Sequence, residues 1–119
     1  MPARQLEARV RHQQNVAVID LHGEINAFAA EALNTAYAKA ERDNPAVILL
    51  NFGGVDYINS TGIALIVGQL AKARAAHRRL IVCGLSEHYT EIFQITRLSD
   101  FMTMFPDEES ALVGADASA

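Results

Sequence analysis

Ala46-Val47-Ile48-Leu49-Leu50-Asn51-Phe52, then Asn59-Ser60-Thr61-Gly62, then the run from Ile63 to Ala76: this passage decides how the chain is read. The first segment is an apolar run of strand length, interrupted only by Asn51, which predicts a buried β-strand. The last places Ile63, Ile66, Val67 and Leu70 on one stripe at helical spacing, with the small residues Ala64, Gly68 and Ala71 beside it. Small side chains there would let a helix lie close to a sheet. Gly53 to Ile58 is expected to be a loop leading into the tetrad. The tetrad therefore sets two hydroxyls at a helix N-terminus, where backbone N–H groups are unpaired and the macrodipole favours negative charge. Such a place suits a phosphate, bound or covalently attached. It equally suits plain capping, because Asn, Ser and Thr are preferred cap residues. Both accounts stand at this point, although three polar residues and a glycine exceed what a cap requires.

Working outward, Leu6 to Arg11 alternates weakly and predicts an edge strand. Gln13-Gln14-Asn15 predicts a hairpin turn into Val16 to Leu21, a second strand closed by Gly23. From Ala27 to about Arg42 the pattern turns helical, with Ala29, Leu33, Ala36, Tyr37 and Ala40 on one face and Asn26 as N-cap. Asp43-Asn44-Pro45 breaks that helix. Leu80 to Cys83 predicts a strand, Ser86 caps a helix to about Ile95, and Phe101 to Phe105 alternates as a short last strand. Pro106-Asp107-Glu108-Glu109 opens a final helix with acids in its first turn. Strands alternating with crossover helices imply a parallel sheet with an antiparallel hairpin at its start. The expected architecture is α/β: one domain over residues 1–113, a mixed, mostly parallel five-stranded sheet with about four helices, and a flexible tail at 114–119.

Composition narrows the function. A chain of 119 residues, half of them apolar, is one domain with a core that needs no metal or disulfide. No apolar run approaches the roughly 20 residues of a membrane span, and the N-terminus has no signal-peptide core. A cytoplasmic protein without membrane insertion is expected. Formal net charge is −4, and the basic residues are dispersed except for Arg74, His77, Arg78 and Arg79, which suit a helix C-terminus. Nucleic acid is not an expected partner. Cys83, the single cysteine, lies in an apolar run, and His12, His22, His77 and His88 lack metal-ligand spacing. No metal and no cofactor are expected. Catalysis is not expected either: Ser60 has no histidine close in sequence, its surroundings are not a nucleophile elbow, and Gly53-Gly54 is too short for a phosphate loop. Glu24 and Asp56 could converge in space, though nothing in their spacing demands it.

Two segments carry a resemblance. Gly23-Glu24-Ile25-Asn26 is similar to the Gly-Glu-Leu-Asp segment of bacterial anti-sigma factor antagonists, which are single STAS domains. Asp56-Tyr57-Ile58-Asn59-Ser60-Thr61-Gly62-Ile63-Ala64 resembles their signature loop, in which an acidic residue precedes Ser-Ser-Gly or Ser-Thr-Gly. Leu80 to Val113 resembles the family's closing strand, helix, strand and helix. Asn59 departs from the usual Asp, and Arg97 stands where many members have Gly.

The resemblance implies partner switching. The unphosphorylated protein would bind an anti-sigma factor that is also a serine kinase, phosphorylation would release it, and a phosphatase would reset the switch. By position, Ser60 is the acceptor and Thr61 a minor site. The expected partner surface comprises Glu24, Ile25 and Asn26, then Asp56, Tyr57, Asn59, Ser60, Thr61 and Gly62, together with the exposed side of the Ile63–Ala76 helix. Loops at the carboxyl ends of parallel strands gather on one edge, which would unite these segments. Two other functions compete: an accessory STAS subunit of a lipid-type ABC transporter, and a module sensing a nucleotide or small molecule at the same helix N-terminus.

Overall fold

The structure, a computed structural model, describes residues 4–117. Five strands, β1 (Glu7–Gln13), β2 (Val16–Ile25), β3 (Val47–Ile58), β4 (Arg79–Cys83) and β5 (Thr103–Phe105), form one sheet in the order β1-β2-β3-β4-β5. Only the β1–β2 pair is antiparallel. Four helices accompany it: α1 (Ala30–Glu41), α2 (Ser60–Ala75), α3 (Glu87–Ile95) and α4 (Glu108–Ala117). The expected mixed α/β sheet with four helices is the fold observed. Gln14, with φ 55°, makes the tight hairpin turn between β1 and β2.

Right-handed crossovers between successive neighbouring strands put their helices on one face of the sheet. On that face Ile19, Leu21, Ile48, Leu50 and Val82 pack against Leu33 of α1, Ile66 of α2 and Phe93 of α3 in the main core. The opposite face is smaller and is covered by α4, whose Ala111 rests with Val18, Leu49, Ile81 and Cys83. An ionic network moors α4 there. Arg11 donates to Asp20 at 2.6 and 3.0 Å and pairs with Glu108 at the head of the helix, and Asn51 also donates to Asp20 at 2.9 Å. No helix among the described residues is long and apolar enough to cross a membrane.

Several boundaries differ from the sequence expectation. Gly53 to Ile58 is strand rather than loop, because β3 runs on to Ile58 beside β2. Its Gly54 makes room for a neighbour: a Cβ there would lie 2.8 Å from Cε1 of His22. Gly23 does not end β2 but bends it, at φ 110°, where the Gln5 carbonyl presses close. On α2 the buried stripe is Gly62, Ile66, Gln69, Leu70 and Ala73, whereas Val67, Ala64, Gly68 and Ala71 face solvent. Gln69 is buried because its amide donates to Asn34 on α1 at 3.1 Å. Phe101 precedes β5 and is exposed, its N–H donating to the Leu98 carbonyl at 3.0 Å and its ring lying against the Arg74 guanidinium at 5.2 Å. The last helix continues past Gly114 to Ala117, with Gly114 against the Phe105 ring. Residues 1–3 of the expected domain and 118–119 of the expected tail lie outside the described residues.

Candidate functional site

Strands β2 and β3 pair in parallel as far as Ile25↔Ile58, with register shifts between Asp20 and His22 and between Gly23 and Glu24, so the chain leaves both at the same edge of the sheet. One hydrogen bond joins the two exits: the Asn59 N–H donates to the Ile25 carbonyl at 3.2 Å. The buried Tyr89 hydroxyl, reaching over from α3, accepts from the Ile58 N–H at 2.9 Å and holds the end of β3.

Asn59 is the N-cap of α2. Its backbone is extended (φ −95°, ψ −178°), its side-chain oxygen accepts from the Gly62 N–H at 2.8 Å, and its carbonyl accepts from Ile63 at 2.9 Å. Ser60 and Thr61 are therefore the first two helical residues, and both are exposed. Among the described residues neither hydroxyl has a hydrogen-bond partner, so capping consumes Asn59 and leaves both side chains in solvent. Their N–H groups belong to the turn that has no intrahelical acceptor. Gly62 is where the helix touches the sheet. A Cβ on it would overlap the Ile25 carbonyl oxygen and come within 2.8 Å of its carbon and 3.0 Å of the Ile58 side chain.

Glu24 and Asp56 do converge, through Arg4. The Arg4 N–H donates to the Glu24 carboxylate at 3.2 Å, the Arg4 carbonyl accepts from the Glu24 N–H at 3.1 Å, and the guanidinium meets Asp56 at 2.7 Å. Asn26 caps the following 3₁₀ turn, Ala27–Ala29, its side chain accepting from the Phe28 N–H at 2.9 Å. Tyr57 is half exposed. The structure thus gathers Glu24, Ile25, Asn26, Asp56, Tyr57, Asn59, Ser60, Thr61 and Gly62 at one sheet edge. Sequence inspection missed Tyr89 and Arg4, which hold the edge without belonging to either signature segment. No sequence signal marks Arg4; Tyr89 is signalled only as an aromatic in the first turn of a capped helix.

The Ser60 side chain stands exposed at this edge, and a cavity of about 360 Å³ lined by Leu6, Phe28, Ala32 and Lys39 lies between β1 and α1. A cavity of about 510 Å³ lies at the other end of the sheet, where Gln13, Val16, Val47 and Leu112 line it. The basic cluster after α2 is structural: Arg78, nearly buried, donates to the Pro45 carbonyl at 3.1 Å and to Asn44 at 2.8 Å. The site therefore presents two unengaged, exposed hydroxyls, those of Ser60 and Thr61, at the start of α2.

Comparison with known proteins gives concordant results. The model of the STAS domain family matches residues 7–111. A Bordetella bronchiseptica protein given the provisional name anti-sigma factor antagonist BtrV is 30% identical over 97 residues, 82% of this chain and 81% of that protein. A crystal structure of an anti-sigma factor antagonist from Mycobacterium paratuberculosis superposes with a TM-score of 0.79 at 20% identity, over 92% of this chain and 93% of that one. The Bacillus cell fate determinant SpoIIAA in its phosphorylated form superposes with a TM-score of 0.69 at 24% identity, over 91% and 98%. At these identities the two structures speak for the shared fold.

Proposed function

The chain belongs to the STAS domain family, and from that premise we propose that it is an anti-sigma factor antagonist working by partner switching in the cytoplasm. The unphosphorylated edge binds an anti-sigma factor that is also a serine kinase. The kinase transfers a phosphoryl group to Ser60, the complex parts, and a phosphatase restores the free hydroxyl. Thr61, one residue further into the same turn, is the secondary acceptor. The carrying observation is that Asn59, not Ser60, caps α2, so the Ser60 hydroxyl is exposed and unengaged at a helix N-terminus.

Charge and position decide what phosphorylation does. It adds roughly −1.5 to −2 charges. Next to the N-terminus of α2 this is favourable to the fold by typically 0.3–1 kcal/mol, and the neutral Asn59 beside it adds no repulsion. The helix start, pinned by the Ile25–Asn59 hydrogen bond and by Tyr89, has no reason to move. At an interface the same charge must lose its water, at a cost of several kcal/mol when no cation meets it. The switch is local and electrostatic: the fold tolerates the phosphate and the complex does not. Ser60→Asp tests this. It should melt no lower than wild type yet bind the kinase at least about tenfold more weakly by titration calorimetry, which about 1.4 kcal/mol suffices to produce. Wild-type affinity in a folded Ser60→Asp protein would refute the proposal.

A further inference from the structure

Phe28 is the most exposed large apolar side chain among the described residues, at 86%, and it lies on the edge that carries Ser60. Its position is fixed. The Phe28 N–H donates to the Asn26 side chain at 2.9 Å, the Ala29 N–H donates to the Asn26 carbonyl at 3.0 Å, and the buried Ala29 tucks the turn inward. The turn packs against α2, and Ile25 just before it accepts the hydrogen bond from Asn59. The ring is thus held out into water by a capped turn tied to the acceptor helix. Val67, 42% exposed on the outer side of α2, and the half-exposed Tyr57 at the end of β3 supply further apolar surface on the elements that border Ser60.

The Arg4 guanidinium is spent on Asp56, and Glu24 accepts only the neutral Arg4 backbone N–H and keeps its charge. Beside that carboxylate the edge offers a partner apolar contact, and rigid aromatic side chains at the centre of an interface carry a large share of binding energy. We infer that Phe28 is the anchor by which the anti-sigma factor kinase is held, its ring entering an apolar pocket of the kinase while Ser60 meets the kinase's active centre. The inference rests on the partner-switching function proposed above and adds a specificity residue that neither signature segment contains. A kinase lacking a pocket of that shape would be rejected even if it could phosphorylate a Ser-Thr-Gly loop.

The test uses the full chain, with wild type, Phe28→Ala, Ser60→Asp and Ile95→Ala titrated calorimetrically against the purified anti-sigma factor kinase that phosphorylates the wild-type protein. Ile95 is the control, 73% exposed but at the distal end of α3. Phe28→Ala should keep the wild-type melting temperature and bind at least about tenfold more weakly, with Ile95→Ala unchanged. Unaltered affinity in Phe28→Ala alongside lost affinity in Ser60→Asp would overturn the anchor and leave partner switching standing. Unaltered affinity in both would bring down partner switching itself. Equal losses in Phe28→Ala and Ile95→Ala, or early melting of Phe28→Ala, would also overturn the anchor, since the ring would then act as general apolar surface or as part of the fold.

Discussion

Two glycines six residues apart on the acceptor helix should respond to alanine with opposite signs. Gly68 faces open solvent, with no atom within 4 Å of where its Cβ would stand. Alanine there should stabilise the protein by roughly 0.5–1 kcal/mol, because glycine is the poorer helix former by that amount. Gly62 has the same propensity gain available but no room. Its Cβ would overlap the Ile25 carbonyl oxygen and sit 2.8 Å from the carbon bonded to it. Both are backbone atoms that cannot swing aside, so the helix start must move away from β2. That strains the Asn59 N–H to Ile25 carbonyl bond. Overpacking of this kind costs about 1–3 kcal/mol, more where backbone is the obstacle. Net of the propensity gain, Gly62→Ala should lose about 1–2 kcal/mol. In a domain of this size that is a fall of about 4–8 °C in Tm, against a rise of about 2–4 °C for Gly68→Ala. Urea melts at constant slope would give the free energies directly. A Gly62→Ala protein as stable as Gly68→Ala would refute the close approach of α2 to Ile25, and with it the geometry that presents Ser60.

Other perturbations follow from the same contacts. Asn59→Ala removes the side chain that accepts from Gly62 and should cost about 1 kcal/mol by chemical denaturation; no loss would mean that Ser60 or Thr61 can take over the cap. Asp20 is held below the usual carboxylate range, first by hydrogen bonds from Arg11 and then by Asn51, against the effect of burial. Its contribution is therefore present above the unfolded value of about 3.8 and lost as pH falls through the folded pKa. Asp20→Asn should accordingly flatten the acid limb of the stability profile, and an unchanged limb would remove Asp20 from it. Burial, helped by the Glu108 and Asp107 carboxylates, pushes the Cys83 thiol up to about 11. Native protein at pH 8 should alkylate with iodoacetamide on the order of a hundredfold more slowly than unfolded chain; comparable rates would contradict the packing of α4 over β4.

The sequence was most legible where pattern and chemistry agreed. The run Val47 to Leu50 is apolar because both faces of β3 are covered, by α1 to α3 on one side and α4 on the other. Ser86 caps the helix it was expected to cap, whereas Asn26 caps the 3₁₀ turn Ala27–Ala29 and α1 itself begins at Ala30 without a side-chain cap. Arg97 adopts the left-handed conformation, φ 68°, and its side chain pairs with Asp100 at 2.7 Å. Glycine was the main source of misplaced boundaries. Gly23, Gly53 and Gly54 look like punctuation, but they lie inside these strands, where Gly23 accommodates the Gln5 carbonyl and Gly54 the His22 ring, while Gly84 packs against the Gly53 backbone. Those neighbours are invisible in a linear string. One member of the expected α2 stripe, Val67, was misplaced for a related reason, while Ile66 and Leu70 are buried and Ile63 packs against the core. Val67 is apolar and Gln69 polar, but Asn34 on another helix satisfies Gln69 and lets it be buried. Of the site, the two signature segments were legible; their shared edge was inferable from parallel topology, whereas Arg4 and Tyr89 act across long sequence separations that local pattern does not encode.

The central claim is that one phosphoryl group on Ser60 separates two partners without disturbing the fold. Its most direct measurement is a titration of the purified kinase with the unphosphorylated chain and with the same chain after enzymatic phosphorylation, the phosphate located by peptide mass spectrometry. The account predicts phosphate on Ser60, its loss in Ser60→Ala, an unchanged fold by circular dichroism, and at least about tenfold weaker binding of the phosphorylated form. Full phosphorylation of Ser60→Ala, or equal affinity of the two forms, would contradict it.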